Sequence, residues 1–182
     1  QMTPSLVATS DDGLGIGYTY FRIRGTDHTR INTTVNGAPL NDSESQTVFW
    51  VNMTDIASST NSVEVQRGVG TSTNGAAAFG ASVNMQTSKA SPDPYAQLSF
   101  NGGMYNTFRE EAKIGTGIMP NGFAFDARVS KVNSDGYLER AYSDLLSYYA
   151  SGAWYGDQTM LKLLFFGGNE TTYMAWDGVS AA

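Results

Sequence analysis

From Tyr95 onward, apolar and polar residues alternate in five segments: Tyr95–Gly102, Thr107–Ile118, Gly122–Asn133, Leu145–Tyr155 and Gln158–Gly168. In the third, Phe123, Phe125, Ala127 and Val129 share one face, and Asp126, Arg128 and Ser130 share the other. In the fifth, Leu161, Leu163 and Phe165 oppose Met160, Lys162, Leu164 and Phe166; in the first, Ala96, Leu98 and Phe100 oppose Gln97, Ser99 and Asn101. A period of two over such lengths predicts half-buried antiparallel strands. It equally fits strands that cross an outer membrane, which need about 9 to 11 residues with the apolar side facing out. Met119–Gly122 and Tyr155–Gln158 read as tight turns, Ser134–Asp144 is long and polar, and the chain after Gly168 reads as irregular. Short turns at one end and long loops at the other belong to a membrane barrel, although a soluble sandwich can share them. Glu110 and Lys131 interrupt otherwise apolar faces, both at strand ends beside the long loop. An outward charge there costs only about 0 to 1 kcal/mol, against about 2 to 4 for a basic residue at midplane.

Up to about Lys89 the pattern is different. Asn, Ser, Thr and Gly separate short apolar runs at Tyr20–Gly25, Ile31–Val35, Val48–Val51, Val63–Val65 and Ser82–Met85. A helical turn is expected over Asn52–Ser59, with Asn52 or Thr54 as its cap. Ala90-Ser91-Pro92-Asp93-Pro94 breaks the chain, since each proline restricts itself and its predecessor, so two units are expected, 1–89 and 90–182. The stretch from Glu64 to Thr87 carries Gly68, Gly70, Gly75 and Gly80 between two alternating runs, but no Gly-Lys-Ser/Thr. It lacks the lysine and hydroxyl of a phosphate-cradling loop; its glycines suit tight turns and close backbone approach between strands.

The 182 residues contain no cysteine and one histidine, His28, so neither a thiolate nor a multi-histidine metal site is expected. A net charge of −6 argues against a nucleic-acid partner, which wants a basic stripe. No apolar run approaches the roughly 20 residues of a membrane helix. The chain starts at Gln1 without a signal peptide, which is read as a processed product or an internal piece. No nucleophile–base constellation is visible, and Glu110-Glu111 on a strand point to opposite faces. No enzyme activity, cofactor or metal is therefore expected. Four Asn-x-Ser/Thr triplets, at Asn32, Asn41, Asn52 and Asn169, keep one rival open. That rival is a secreted, soluble β-sandwich that binds carbohydrate.

Four ordered motifs go further: Phe21-Arg22-Ile23-Arg24-Gly25, Asn36-Gly37-Ala38-Pro39-Leu40, Glu64-Val65-Gln66-Arg67-Gly68, and Asn74-Gly75 followed by Phe79-Gly80-Ala81-Ser82-Val83-Asn84. Together they resemble the second half of the plug of a TonB-dependent outer-membrane receptor. Tyr105-Asn106-Thr107-Phe108 and Asp135-Gly136-Tyr137 resemble the first barrel strands and loop that follow such a plug. Phe79 stands where the family usually has Tyr, Ala81-Ser82 where it has Gly-Gly, and Val69 where Pro is common.

The resemblance implies a mainly β fold: part of a mixed α/β plug, then about five antiparallel strands of a plugged transmembrane barrel of roughly 22 strands. It implies an internal piece of a longer receptor in the outer membrane of a Gram-negative bacterium. The function would be TonB-dependent uptake of a scarce nutrient, most often a ferric siderophore. Its partners would be TonB, acting through a segment outside this chain, an iron complex, and membrane lipid. It further implies that Arg24 and Arg67 latch plug to barrel by pairing with wall carboxylates, and that Phe49, Trp50, Tyr173 and Trp176 meet the ligand.

Overall fold

The computed structural model describes residues 4–69, 78–87 and 89–173. Leu6–Ser10 (β1) and Thr19–Ile23 (β2) form an antiparallel pair. Ile31–Val35 (β3), Ala38–Pro39 (β4), Thr60–Arg67 (β5) and Ala81–Thr87 (β6) form a second sheet in the order β4-β3-β6-β5, with β3 and β6 parallel. Every residue of β3 is buried, including Asn32, Thr33 and Thr34. That is expected of a parallel strand covered on both faces, and its polar groups need partners. Thr34 Oγ1 donates to Asn84 Oδ1 at 2.7 Å, and Thr33 N–H donates to Asn41 Oδ1 at 2.8 Å. Ile23, Ile31, Val35, Ile56, Ala81, Val83 and Met85 make the apolar core.

Two motif glycines have clear physical causes. Asn36 and Gly37 both take positive φ, 50° and 85°, as the tight turn from β3 to β4 demands. At Gly80 a Cβ would lie 2.2 Å from the Thr26 side chain, so only glycine lets the chain enter β6 there. The helical turn expected over Asn52–Ser59 is instead two 3₁₀ turns, Trp50–Asn52 and Ile56–Ser59. Neither Asn52 nor Thr54 caps them: Phe49 and Asp55 hold the N-cap positions without a side-chain hydrogen bond to the backbone. Asp55 adopts a left-handed conformation (φ 51°, ψ 32°) that separates the turns and directs its carboxylate elsewhere.

The second half is a wall of five antiparallel strands: Tyr95–Gly103 (β7), Thr107–Gly115 (β8), Phe123–Ser134 (β9), Ser143–Tyr155 (β10) and Met160–Thr172 (β11). They pair in chain order. β8 stops at Gly115, short of the expected Ile118, and Gly117 at φ +68° turns the chain against Pro92–Pro94. The stretch after Gly168, expected to be irregular, instead continues β11 to Thr172, because Asn169–Thr172 find partners in Leu146–Ser143.

The wall is two-faced in the sense opposite to a soluble sandwich. Leu98, Phe100, Leu163 and Phe165 are 67–73% exposed, whereas Ser130, Ser147 and Arg128 are at most 5% exposed on the face turned to the N-terminal sheets. An apolar exterior around a polar interior is the rule for membrane barrels. Glu110 and Lys131 both lie on the outer face and stand opposite each other in the β8–β9 register, while Glu111 is buried on the inner face.

Gly122 closes the β8–β9 turn at φ +81°, with a Cβ position only 2.5 Å from the Tyr155 carbonyl oxygen. Gly122→Ala should destabilise the full-length protein by about 1 to 3 kcal/mol from backbone strain alone, seen as a lower thermal midpoint. Gly102→Ala, whose Cβ would make ordinary contact with Phe108 at 3.8 Å, should leave the midpoint unchanged.

Candidate functional site

The segment from Trp50 to Ser59 carries the connection between the N-terminal sheets and the wall. Its left-handed turn aims Asp55 at the inner faces of β8 and β9. Asp55 Oδ2 accepts from Arg128 Nη1 at 2.7 Å, from Ser130 Oγ at 2.5 Å and from Arg109 Nη2 at 3.3 Å. Arg128 also donates to Ser147 Oγ at 2.7 Å, and that hydroxyl donates to the Thr54 carbonyl at 2.8 Å. Glu111 Oε2 lies 2.6 Å from Arg109, and Glu111 Oε1 lies 3.1 Å from Lys113 Nζ. Lys113 donates to the Ser58 carbonyl at 3.0 Å, and Arg109 also bonds the Ser58 hydroxyl. One short turn is thus bolted to three adjacent strands.

The electrostatics explain the arrangement. The Arg128 side chain is 3% exposed and that of Glu111 is 4% exposed, so neither charge has bulk water to stabilise it. A buried ion needs a paired and hydrogen-bonded counter-ion. Asp55 supplies the negative charge from one side, while Arg109 and Lys113 complete the set from the other. Farther along the wall, Lys162 Nζ donates to Thr87 Oγ1 at 2.9 Å, tying the end of β6 to β11.

At its other end the N-terminal unit touches a wall loop. The Asp12 carboxylate accepts from the N–H groups of Leu14, Gly15 and Ile16, shaping the tip between β1 and β2. The Asp12 carbonyl then accepts from the Tyr137 N–H at 3.0 Å. Neighbouring Asp11 has its carboxyl raised above the usual range, chiefly by burial and then by the charge of Asp12. His28 packs its ring 5.7 Å from that of Tyr20. Its neighbour Asp27 sits below the usual carboxylate range because Thr29 donates to it from backbone and hydroxyl. Among the described residues no group of three metal-ligating side chains is assembled.

The residues singled out from the sequence are distributed unevenly. Trp50 is half-buried with its ring 5.6 Å from Phe21, and Phe49 is exposed beside it. Both border a cavity of about 230 Å³ with Tyr18, Tyr20 and His28. Tyr173 is exposed and stacks on Tyr142, so it forms a separate aromatic cluster. Trp176 lies outside the described residues. Arg24 and Arg67 are both exposed; the wall carboxylates expected to meet them were assigned to strands beyond this chain. Asp55, Arg109, Glu111 and Arg128 were not singled out. Alternation does place Arg109, Glu111 and Arg128 on polar strand faces, which was the available signal.

Comparison with known proteins agrees with this geometry. The sequence model of the TonB-dependent Receptor Plug Domain matches residues 1–82. No curated protein matches the chain. The pyoverdine outer membrane receptor FpvA from Pseudomonas aeruginosa PAO1 superposes with a TM-score of 0.69 at 18% identity, over 89% of this chain and 23% of that one. The ferric yersiniabactin uptake receptor FyuA from Yersinia pestis gives 0.67 at 15% identity, over 93% of this chain and 27% of that one. The ferric citrate transporter FecA gives 0.72 at 18% identity, over 94% of this chain and 28% of that one. Residues 1–82 thus carry a TonB-dependent receptor plug sequence, and the chain shares with these receptors the fold of a plug followed by antiparallel strands of a barrel wall. It spans 23–28% of the length of these three solved relatives, which are receptors and transporters and not enzymes.

Asp55→Asn keeps the shape of the side chain but removes the nearer counter-charge of Arg128, leaving only Glu111 at 3.9 Å. Breaking one partner of a buried pair typically costs about 3 to 5 kcal/mol. The variant should show faster amide exchange across residues 54–58 in the full-length receptor, with the wall strands unaffected. Unchanged exchange would mean that the ion pair does not hold the turn.

Proposed function

We propose that the receptor takes up an iron complex, a ferric siderophore or a related chelate, across the outer membrane of a Gram-negative bacterium in a TonB-dependent manner. The observation that carries this reading is the charge-bearing inner face of the wall, tied to the plug by ion pairs and hydrogen bonds beside the apolar contact of Phe166 with the plug core. A plug held this way blocks the lumen yet can exchange its bonds for water when it is pulled. Net stabilisation per hydrogen bond to a charged group is only about 1.5 to 3 kcal/mol when water can replace each one that breaks. The pull comes from TonB, through a segment outside this chain. Residues 1–89 serve as plug and 90–182 as wall in this scheme, and the exposed apolar face of the wall meets lipid.

The solved neighbours, receptors or transporters of pyoverdine, ferric yersiniabactin and ferric citrate, support an iron chelate as cargo. Phe49, Trp50, Tyr173 and Trp176 are the residues proposed to meet it. Aromatic rings offer rigid area, a π-face and a polar edge at small entropic cost. Arg24 and Arg67 are proposed to latch the plug to carboxylates on the rest of the barrel; the planar guanidinium binds a carboxylate through two bonds. A secreted sandwich fits less well, because its inner face would be apolar and because the triplet acceptor Asn32 is 2% exposed.

The test is equilibrium binding of ferric catecholate, ferric hydroxamate and ferric citrate to the full-length receptor. One of these should bind. Trp50→Ala and Trp176→Ala should each weaken that complex by about 2 kcal/mol, the scale of an aromatic hot spot. Unchanged affinity in both variants, with folding verified, would remove the two tryptophans from the site. Failure of all three chelates to bind would overturn the cargo.

A further inference from the structure

A second cavity, of about 480 Å³, lies between the plug and the inner face of the wall, with the segment Gly15–Gly17 and Trp50 on one side and Arg109, Leu145 and Glu170 on the other. Pockets of this size accept a small organic molecule, and they are usually apolar with a few placed polar groups. Glu170 is the feature that sets its chemistry. It sits on β11 directly opposite Leu145 in the β10–β11 register, and its Oε1 is buried with no hydrogen-bond partner among the described residues. The plug backbone presses close to that oxygen: a Cβ on Gly17, at φ +76°, would stand 3.3 Å from it.

The other charges bordering the cavity are already committed. Arg109 is held by Asp55 and Glu111. Asp55 in turn is held by Arg128 and Ser130. Glu170 alone offers an acceptor with nothing assigned to it, and a desolvated carboxylate oxygen is costly unless something donates to it. The face of Trp50 borders the same space, and an aromatic face attracts a cation much as a carboxylate does.

We propose that this cavity is a binding site for an organic ammonium group carried on an apolar body, with Glu170 as its counter-ion and Trp50 as its aromatic wall. The site shares Thr19 and Trp50 with the aromatic surface around Phe49 but is otherwise lined by different residues, and it does not rest on the uptake of iron chelates. A ligand seated here would lie among the plug tip, the 3₁₀ segment and residues of all five wall strands. Its occupancy would therefore favour the docked arrangement of the plug.

The test uses the full-length receptor in lipid nanodiscs, with benzylamine as the ammonium probe and benzyl alcohol as its neutral isostere, both followed by ligand-observed NMR titration. The wild-type receptor should bind benzylamine at least ten-fold more tightly than benzyl alcohol. Glu170→Gln should abolish that preference, and Glu170→Asp, which keeps the charge, should retain most of it. Trp50 fluorescence, read in a variant whose other tryptophans are replaced by phenylalanine, should change on adding benzylamine and not on adding benzyl alcohol. Absence of a preference in the wild type overturns the proposal; it is the result expected if a basic residue elsewhere in the barrel already neutralises Glu170. A preference that survives Glu170→Gln overturns it as well.

Discussion

The densest contact between plug and wall converges on one carboxylate. Asp55 is bonded at once to Arg128, Arg109 and Ser130, which stand on two adjacent strands of the wall. Arg128 is nearly inaccessible and could not stay charged there without a counter-ion. The wall therefore requires the plug as much as the plug requires the wall. The left-handed backbone at Asp55 follows from the same requirement: a continuous helix from Trp50 to Ser59 would carry that side chain to a different place. Aspartate tolerates such a conformation better than most residues, so residue type and geometry agree.

This contact also accounts for the unusual distribution of polarity. In a soluble domain, burial of apolar area is the dominant favourable term. Here the apolar area of β7–β11 faces outward, and the buried face carries Ser130, Ser147, Ser151, Glu111 and Arg128. Only the plug has an apolar core of the usual kind, centred on Ile23, Ile31 and Val83. The result is a rigid plug body docked on a polar wall. Such an interface is specific, because each buried ion demands its partner, yet water can stand in for its bonds when the partners separate. An apolar seal of equal area would hold without that option, which the proposed uptake requires.

Much of this was legible in the sequence. Period-two alternation located all five wall strands and assigned their faces correctly in β7, β9 and β11, because a barrel strand sees two contrasting environments along its whole length. The Asn-Gly turn and Gly80 were legible as motifs, and their positive φ and close approach give the reason. Strand ends were less so. β11 continues through Asn169 and Glu170, residues of poor strand propensity, since β10 supplies partners for them. β1 was missed, because Leu6–Ser10 is short and largely exposed, and only its pairing with β2 defines it. The clasp lay furthest from view. Nothing local distinguishes Asp55 in Met53-Thr54-Asp55-Ile56, and its partners lie 54 to 75 residues away. The motif arginines Arg24 and Arg67 drew attention instead, although the ion pairs that join plug to wall among the described residues have the reverse polarity, with Asp55 on the plug and Arg109 and Arg128 on the wall.

A double-mutant cycle on Asp55→Asn and Arg128→Gln in the full-length receptor addresses the central claim most directly, with plug opening measured by amide exchange across residues 54–58. If the two side chains hold plug to wall as one unit, the second substitution should cost far less once the first is present. The coupling should then fall in the upper part of the range of about 0.5 to 3 kcal/mol found for contacting residues. Effects that simply add, to within about 0.5 kcal/mol, would show that the two groups act independently and would contradict the account.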